Sequence, residues 1–210
     1  MSQEAPSAGE IFVVDDDPAI RDVLTTVFVR DGFEVTNFAD GASLLASARG
    51  RTPVCIILDV HIPGRSGLDI LKELNAQDYP VPIFIMSGQG DIPMAVDAIK
   101  NGALELIEKP FQPDAMLARV REAVDAWARQ RAGNGAGDLP AAFSGRNLLT
   151  PRELDVLAQI AGGSSNRDAA RNLGISTRTV EVHRAHIMDK LGAKNAADLV
   201  RLVLRDRRSH

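Results

Sequence analysis

At four places in the first half of the chain an apolar run ends in a polar residue: Asp15 and Asp16 follow IFVV, Asp59 follows VCIIL, Ser87 follows VPIFIM and Lys109 follows LELIE. Carboxylates crowded into one pocket repel one another and raise each other's pKa values unless a positive charge sits among them. A divalent ion is the simplest resolution. Hard oxygen donors with little nitrogen or sulfur fit Mg²⁺, which keeps several waters and bridges one or two carboxylates to a phosphoryl group. A carboxylate beside such an ion can act as nucleophile and become an acyl phosphate, while the ion and a cationic lysine neutralise the phosphoryl oxygens in transit. Asp59 is the candidate nucleophile, because it stands alone at the end of the most apolar run. Asp15 and Asp16 form the acidic pair expected of metal ligands. Taken singly, each residue has a plainer role: an Asp at a strand end often caps a helix, and a lone lysine is usually a solvated surface charge. Their joint occurrence, one group per strand end, favours a site.

The elements that must position these groups follow from periodicity. IFVV precedes Ile20, Val23, Leu24, Val27 and Phe28 at helical spacing, and VCIIL precedes Leu68, Leu71 and Leu74. VPIFIM is followed by Val96 and Ile99 on a helix that Pro93 can open, and LELIE by Met116, Leu117, Val120, Val124 and Trp127. With a weaker strand near Glu34 to Phe38, the pattern gives five strands and five helices, an α/β doubly wound five-stranded parallel sheet. In such sheets working residues gather outside the carboxyl ends of the strands, where strand order reverses.

A change of composition marks a boundary. RQRAGNGAGDLPAAFSGRN lacks any apolar period and reads as a linker over 129–147. It separates a domain at 10–128 from one at 148–208. The latter has no strand pattern and is all-α, with four short helical segments near 151–161, 165–172, 176–191 and 195–205. The overall charge of −4 hides opposite halves: residues 1–143 carry 12 basic and 21 acidic groups, residues 144–210 carry 12 and 7. A basic small domain attracts a polyphosphate partner, although charge alone does not separate DNA from RNA or an acidic protein.

Within that domain SSNRDAARNLGISTRTVEVHRAHIMDKLG reads as a helix-turn-helix. Ala169 and Ala170 allow close crossing, Gly174 breaks the first helix, Ile175 plugs the core and Ser176 or Thr177 caps the second. Val180, Ile187, Met188 and Leu191 fall on one stripe, so Arg178, Glu181, Val182, Ala185 and Asp189 face outward. Val182 could touch a thymine methyl and Glu181 could accept from a cytosine amino group; Thr177, Arg178, Thr179, Arg184 and Lys190 are candidate phosphate contacts, and His183 lies in the same DNA-binding stretch. A small helical interaction module with a solvated basic face is the plainer alternative. His183 and His186 could be taken for metal ligands, but no cysteine or third ligand lies nearby.

VVDDDP, ILDVHIPGRSGLD, MSGQGD and IEKPF resemble the successive motifs of bacterial receiver domains of two-component response regulators, over roughly residues 10–128. The resemblance implies a flavodoxin-like receiver in which Asp59 is the phospho-acceptor, Asp16 a direct Mg²⁺ ligand, Asp15 a water-mediated one and the backbone carbonyl of His61 a third. It makes Lys109 the partner of the phosphoryl group, Ser87 the hydroxyl that moves to it, and Lys109–Pro110 a cis peptide that aims the lysine inward. One position departs from the family: the aromatic switch residue three places before the lysine is Leu106 here. An aliphatic chain cannot make the same ring rotation, so coupling from Ser87 to the surface of the fourth helix and fifth strand is expected to be weaker or differently built.

LTPRELDVLAQIAGGSSNRDAARNLGISTRTVEVHRAHIMDKLGAKNAADLV resembles the LuxR-type helix-turn-helix DNA-binding domain along its whole length, and the pair of domains resembles the FixJ and NarL subgroup. In that family the positions matching Glu181, Val182 and Ala185 meet base edges, and the last helix, about Asn195 to Arg205, dimerises. The implied function is a phosphorylation-dependent transcription regulator and not an enzyme: a sensor histidine kinase phosphorylates Asp59, a homodimer forms, and double-stranded promoter DNA is bound. RNA polymerase is a further candidate partner. The reading from another class is an adaptor whose helical domain binds protein; steep salt dependence of DNA binding would separate the two. An independent phosphatase or transferase lacks a second nucleophile. No apolar run is long enough for a bilayer and MSQEAPSAGE has no signal character, so a cytoplasmic protein with no membrane partner is expected. Cys55 is expected in the core.

Overall fold

A computed structural model describes residues 8–76, 79–88, 92–131, 139, 143 and 145–205. The chain divides into two compact units, 1–124 and 125–210. In the first, β1 (Glu10–Val14), β2 (Glu34–Phe38), β3 (Cys55–Asp59), β6 (Ile83–Ser87) and β7 (Glu105–Glu108) form a parallel sheet in the order β2-β1-β3-β6-β7. The helices are α1 (Pro18–Arg30), α2 (Gly41–Ala48), α3 (Gly67–Glu73), α4 (Ile92–Lys100) and α5 (Pro113–Arg131), whose last residues fall beyond 124. This is the expected five-stranded doubly wound architecture. The structure adds β4 (His61–Ile62) and β5 (Arg65–Ser66), a two-residue antiparallel ladder after β3 that is too short to carry a period.

β3 and β6 are buried along their whole length, which is why CIILD and IFIMS read as unbroken apolar runs rather than alternating ones. Phe12, Ile57, Leu58, Phe84 and Ile85 are fully buried between the helical layers. Chain order passes from β1 out to the edge strand β2 and back across to β3, so strand order reverses between β1 and β3. Asp15 leaves β1 there, Asp59 ends β3, Ser87 ends β6 beside Glu108 of β7, and Lys109 comes next.

Three successive aspartates part at the start of α1. Asp17 accepts from the Ala19 backbone N–H at 2.8 Å and caps the helix, with Pro18 in the first helical position. Its two predecessors are thereby left to the pocket. α5 continues to Arg131, into the stretch expected as linker; most of 129–147 lies outside the described residues, as do residues 89–91 of the MSGQGD motif and the last residues of the expected second domain.

In the second unit a 3₁₀ turn (Arg146–Leu148) leads to α6 (Pro151–Ala161), α7 (Asn166–Leu173), α8 (Thr177–Leu191) and α9 (Ala196–Arg205). Thr150 and Glu153 form a capping box at α6, Ser165 caps α7 and Ser176 caps α8. Gly174 ends α7 at φ 64°, a left-handed conformation that only glycine adopts without strain. Val156, Leu157, Ala169, Leu173, Val180, Ile187, Leu199 and Val203 make the core. Arg152 and Glu153 are buried with them: Arg152 Nη2 donates to the Leu173 carbonyl at 2.7 Å, and Glu153 accepts from Lys190 Nζ at 2.7 Å.

Truncating a central sheet residue tests this packing. Phe84→Ala should cost about 3–5 kcal/mol by the transfer and cavity terms for a fully buried ring. Urea denaturation followed by circular dichroism measures it; a loss within the range of surface substitutions would show that the strand is not central.

Candidate functional site

The carboxyl end of the first sheet brings together the residues that the sequence singles out. Lys109 Nζ lies 2.7 Å from Asp15 Oδ2 and 3.0 Å from Asp59 Oδ2. Both carboxylates are buried, Asp15 completely, while Asp16 is exposed at the mouth. One oxygen from each of Asp15, Asp16 and Asp59 falls within 4.8 Å of the others. The Lys109–Pro110 peptide is cis.

Electrostatics fit a site that holds more negative than positive charge. Burial raises the Asp15 pKa above its ordinary value, even though Lys109 and the Asp17 backbone N–H pull it down. Burial also pulls the Lys109 ammonium toward neutrality, but hydrogen bonds and charge from Asp15 and Asp59 outweigh that and raise its pKa. The lysine is therefore a fixed cation. Asp59 Oδ1 is buried without a hydrogen-bond partner among the described residues, whereas Oδ2 faces Lys109. Arg21, which sequence reasoning misses, donates from Nη1 to the carbonyls of Asp15 at 2.6 Å and Asp16 at 3.0 Å, holding the loop that carries both acids. Its place one turn into α1 is a signal only once that loop is known to matter.

Ser87 is fully buried, and its hydroxyl donates to the Met94 thioether at 3.2 Å. Met94 belongs to α4 and no sequence signal marks it. Leu106, at the position of the missing aromatic ring, is half-buried on β7. The His61 side chain is exposed on β4 and does not join the three-carboxylate cluster.

On α8 the buried stripe is Thr179, Val180, His183 and Ile187. Val180 and Ile187 are expected there from the sequence, which fixes the helical phase. Thr177, Arg178, Glu181, Ala185 and Asp189 are exposed; Val182 and Arg184 are half-buried. Two expectations are corrected. His183 points into the core because it follows Val180 by three positions, and Thr179 is buried with its hydroxyl against Ser176 Oγ at 2.9 Å in the cap. Met188 and Leu191 are only half-buried. Lys190 is exposed but engaged with Glu153.

These geometries match known proteins over nearly the whole chain. The family model for the response regulator receiver domain matches residues 11–121, and that for bacterial regulatory proteins of the luxR family matches residues 147–203. The transcriptional regulatory protein FixJ of Bradyrhizobium diazoefficiens is 40% identical over 94% of this chain and 95% of its own length. The chain belongs to the FixJ-type response regulators. A further relative is the response regulator protein TodT of Pseudomonas putida, 36% identical over 94% of this chain and 86% of its own. The crystal structure of full-length FixJ from B. japonicum aligns with a TM-score of 0.58 at 38% identity, covering 97% of this chain and 100% of that one. That of response regulator StyR aligns with a TM-score of 0.51 at 34% identity, covering 93% and 98%. A FixJ-type response regulator is a phosphorylation-dependent transcription regulator, not an enzyme; the acidic pocket lies within the receiver match and the helix-turn-helix within the luxR-family match. No helix among the described residues is long and apolar enough to cross a membrane.

The inward turn of His183 has a measurable consequence. Burial, followed by the neighbouring charges of Arg152, His186 and Lys190, lowers its pKa from 6.5 to about 3. A depressed histidine takes up its proton in the unfolded chain first, so its contribution to stability is complete above pH 6.5 and is lost as pH falls toward 3. Melting temperatures of the native chain and His183→Gln should therefore converge as pH drops through that window. A gap that is constant with pH would contradict burial of a neutral imidazole.

Proposed function

We propose that Asp59 accepts a phosphoryl group from the phosphohistidine of a sensor histidine kinase, and that a resulting homodimer binds promoter DNA through two copies of α8. The observation that carries the first step is the asymmetry of Asp59: one oxygen is held 3.0 Å from Lys109 and the other is buried with no hydrogen-bond partner among the described residues. A carboxylate anchored on one side is aimed on the other. Oδ1 attacks phosphorus, an O–P bond forms, the N–P bond to the donor imidazole breaks, and its electron pair stays on the ring nitrogen, which takes up a proton from water. Lys109 neutralises charge on the phosphoryl oxygens.

Three carboxylates against one ammonium leave a net charge of about −2, and their all-oxygen donor set fits Mg²⁺. Asp16 would hold the ion directly and Asp15 through water, with Asp59 and the His61 backbone carbonyl completing the protein's share. When bound, Mg²⁺ draws charge from the phosphoryl oxygens. The Ser87 hydroxyl must leave Met94 to reach the phosphoryl group. That exchange connects the pocket to α4 where Leu106 supplies no ring.

On the DNA side, Glu181, Val182 and Ala185 are the proposed base-reading residues, and Thr177, Arg178 and Arg184 the phosphate contacts. Lys190 can join them only by leaving Glu153. The working domains are 10–128 and 148–208, joined by 129–147. α9 is the proposed dimer element, RNA polymerase a further partner, and the cytoplasm the compartment where kinase and promoter meet.

Asp59→Asn keeps the side chain's shape but loses the attacking oxygen's charge, so acyl-phosphate formation with Mg²⁺ and a small phosphodonor should vanish. Undiminished labelling of that variant would sink the assignment. Asp16→Ala should raise the Mg²⁺ concentration needed for half-maximal phosphorylation, and activity should disappear in a strong chelator without any requirement for zinc.

For the DNA face, Glu181→Ala and Val182→Ala should each shift base preference by about 1–3 kcal/mol in selection from a randomised pool. Arg184→Ala should instead weaken all sequences alike and flatten the slope of log affinity on log salt by roughly one unit. If Val182→Ala lowers the melting temperature and leaves base preference intact, Val182 is a packing residue.

A further inference from the structure

Asn166 opens α7, and its side-chain amide lies between two residues of α8. Nδ2 donates to Glu181 Oε1 at 3.4 Å, and Oδ1 accepts a hydrogen bond from Arg184 Nη1. The orientation is dictated by chemistry, since the reversed amide would set its NH₂ against guanidinium donors and its carbonyl against a carboxylate. Glu181 and Arg184 are three positions apart on one helix, the spacing at which opposite charges pair directly. Asn166 stands where that pairing would occur and keeps each charge turned toward it.

Among the described residues, the asparagine side chain bonds none of its own helix. Ser165 is the cap of α7, accepting from the Asp168 backbone N–H at 3.1 Å. Asparagine is favoured at caps and turns because its side chain bonds nearby backbone, yet here it reaches across to the neighbouring helix. Neither partner is used up by the bridge: the Glu181 carboxylate retains a second oxygen, and the Arg184 guanidinium retains four of its roughly five donors. Both can contact DNA without releasing Asn166.

We propose that Asn166 is a positioning residue for the DNA face: it orients Glu181 and Arg184 before DNA arrives, so that base preference depends on an α7 side chain that reads no base. The inference rests on the proposed role of α8 as the reading helix. Long side chains lose rotamer freedom when they dock, and those already held lose less. The bridge converts two flexible charges into a fixed pair of donor and acceptor directions.

Selection from a randomised DNA pool, with thermal melts alongside, tests this on the full chain with Glu181→Ala, Asn166→Ala, Asn166→Asp and the double variant Glu181→Ala with Asn166→Ala. Asn166→Ala should lose discrimination severalfold at the base pair read by Glu181 with an unchanged melting temperature. Asn166→Asp, which keeps an acceptor for Arg184 but repels Glu181, should lose it too. The double variant should be no worse than Glu181→Ala alone. If Glu181→Ala alters base preference and both Asn166 variants do not, the bridge is overturned and the reading of α8 stands. Additive losses of discrimination at that base pair in the double variant also overturn it, since Asn166 would then be reading the base itself; a uniform loss of affinity through Arg184 does not count toward this. An unchanged preference in Glu181→Ala overturns the reading of α8 first and the bridge with it.

Discussion

The Lys109 ammonium between two buried carboxylates is the interaction on which the first unit depends. Two acids cannot remain buried side by side on desolvation grounds alone, because each charge removed from water costs several kcal/mol unless it is paired and hydrogen-bonded. Lys109 contacts both, at 2.7 and 3.0 Å, and so permits Asp15 and Asp59 to occupy the point where strand order reverses. Compensation is incomplete: Asp15 is still raised by burial, and one Asp59 oxygen has no partner among the described residues. A fully neutralised pocket would have no reason to bind a cation or a phosphoryl group. The sheet supplies rigidity for this arrangement, since β1, β3 and β6 are buried on both faces and cannot slide without exposing Phe12, Ile57 or Phe84.

Three adjacent aspartates show how little of a residue's role lies in its type. Asp15 is buried at the end of a strand, Asp16 is exposed at the mouth, and Asp17 closes the first turn of α1. Backbone direction at each position decides which acid meets the lysine, which meets solvent and which meets helix N–H groups. Arg21 then reads the result, bonding to the carbonyls of the first two and so coupling the helix to the loop.

The strands, the acidic pocket and half of the buried stripe of α8, Val180 and Ile187, are legible in the sequence because each repeats a physical period or ends a buried run. Their strand-end residues gather at one edge of the sheet, as the doubly wound topology requires. What is illegible depends on partners far apart in sequence. Nothing in the local pattern marks Met94 as the acceptor of the Ser87 hydroxyl, Lys190 as the partner of Glu153 across 37 residues, or Asn166 as the bridge to α8. Polarity alone places His183 and Thr179 outward; their positions beside Val180 on the same stripe, together with a neutral imidazole and a hydroxyl already in a cap, let them turn inward. The short β4–β5 ladder leaves no trace because two residues carry no period.

The charge excess of the second unit is likewise smaller in effect than in count. Arg152 bonds a carbonyl and faces Asp155 at 3.5 Å, Arg171 faces Asp168 at 2.8 Å, and Lys190 faces Glu153 at 2.7 Å. Those three cations are already balanced inside the domain, and moving any of them to a phosphate would leave an acid exposed to the negative field of DNA. Glu153 would lose most, because it is buried and also closes the capping box of α6. Arg178 stands exposed in the first turn of α8 with no ion pair among the described residues, so it can approach phosphate at the cost of hydration alone. Each phosphate that a lysine or arginine neutralises releases counterions from DNA. Arg178 is thus one cation that the proposed phosphate contacts could use without opening an internal ion pair, and it lies three positions before Glu181 on α8.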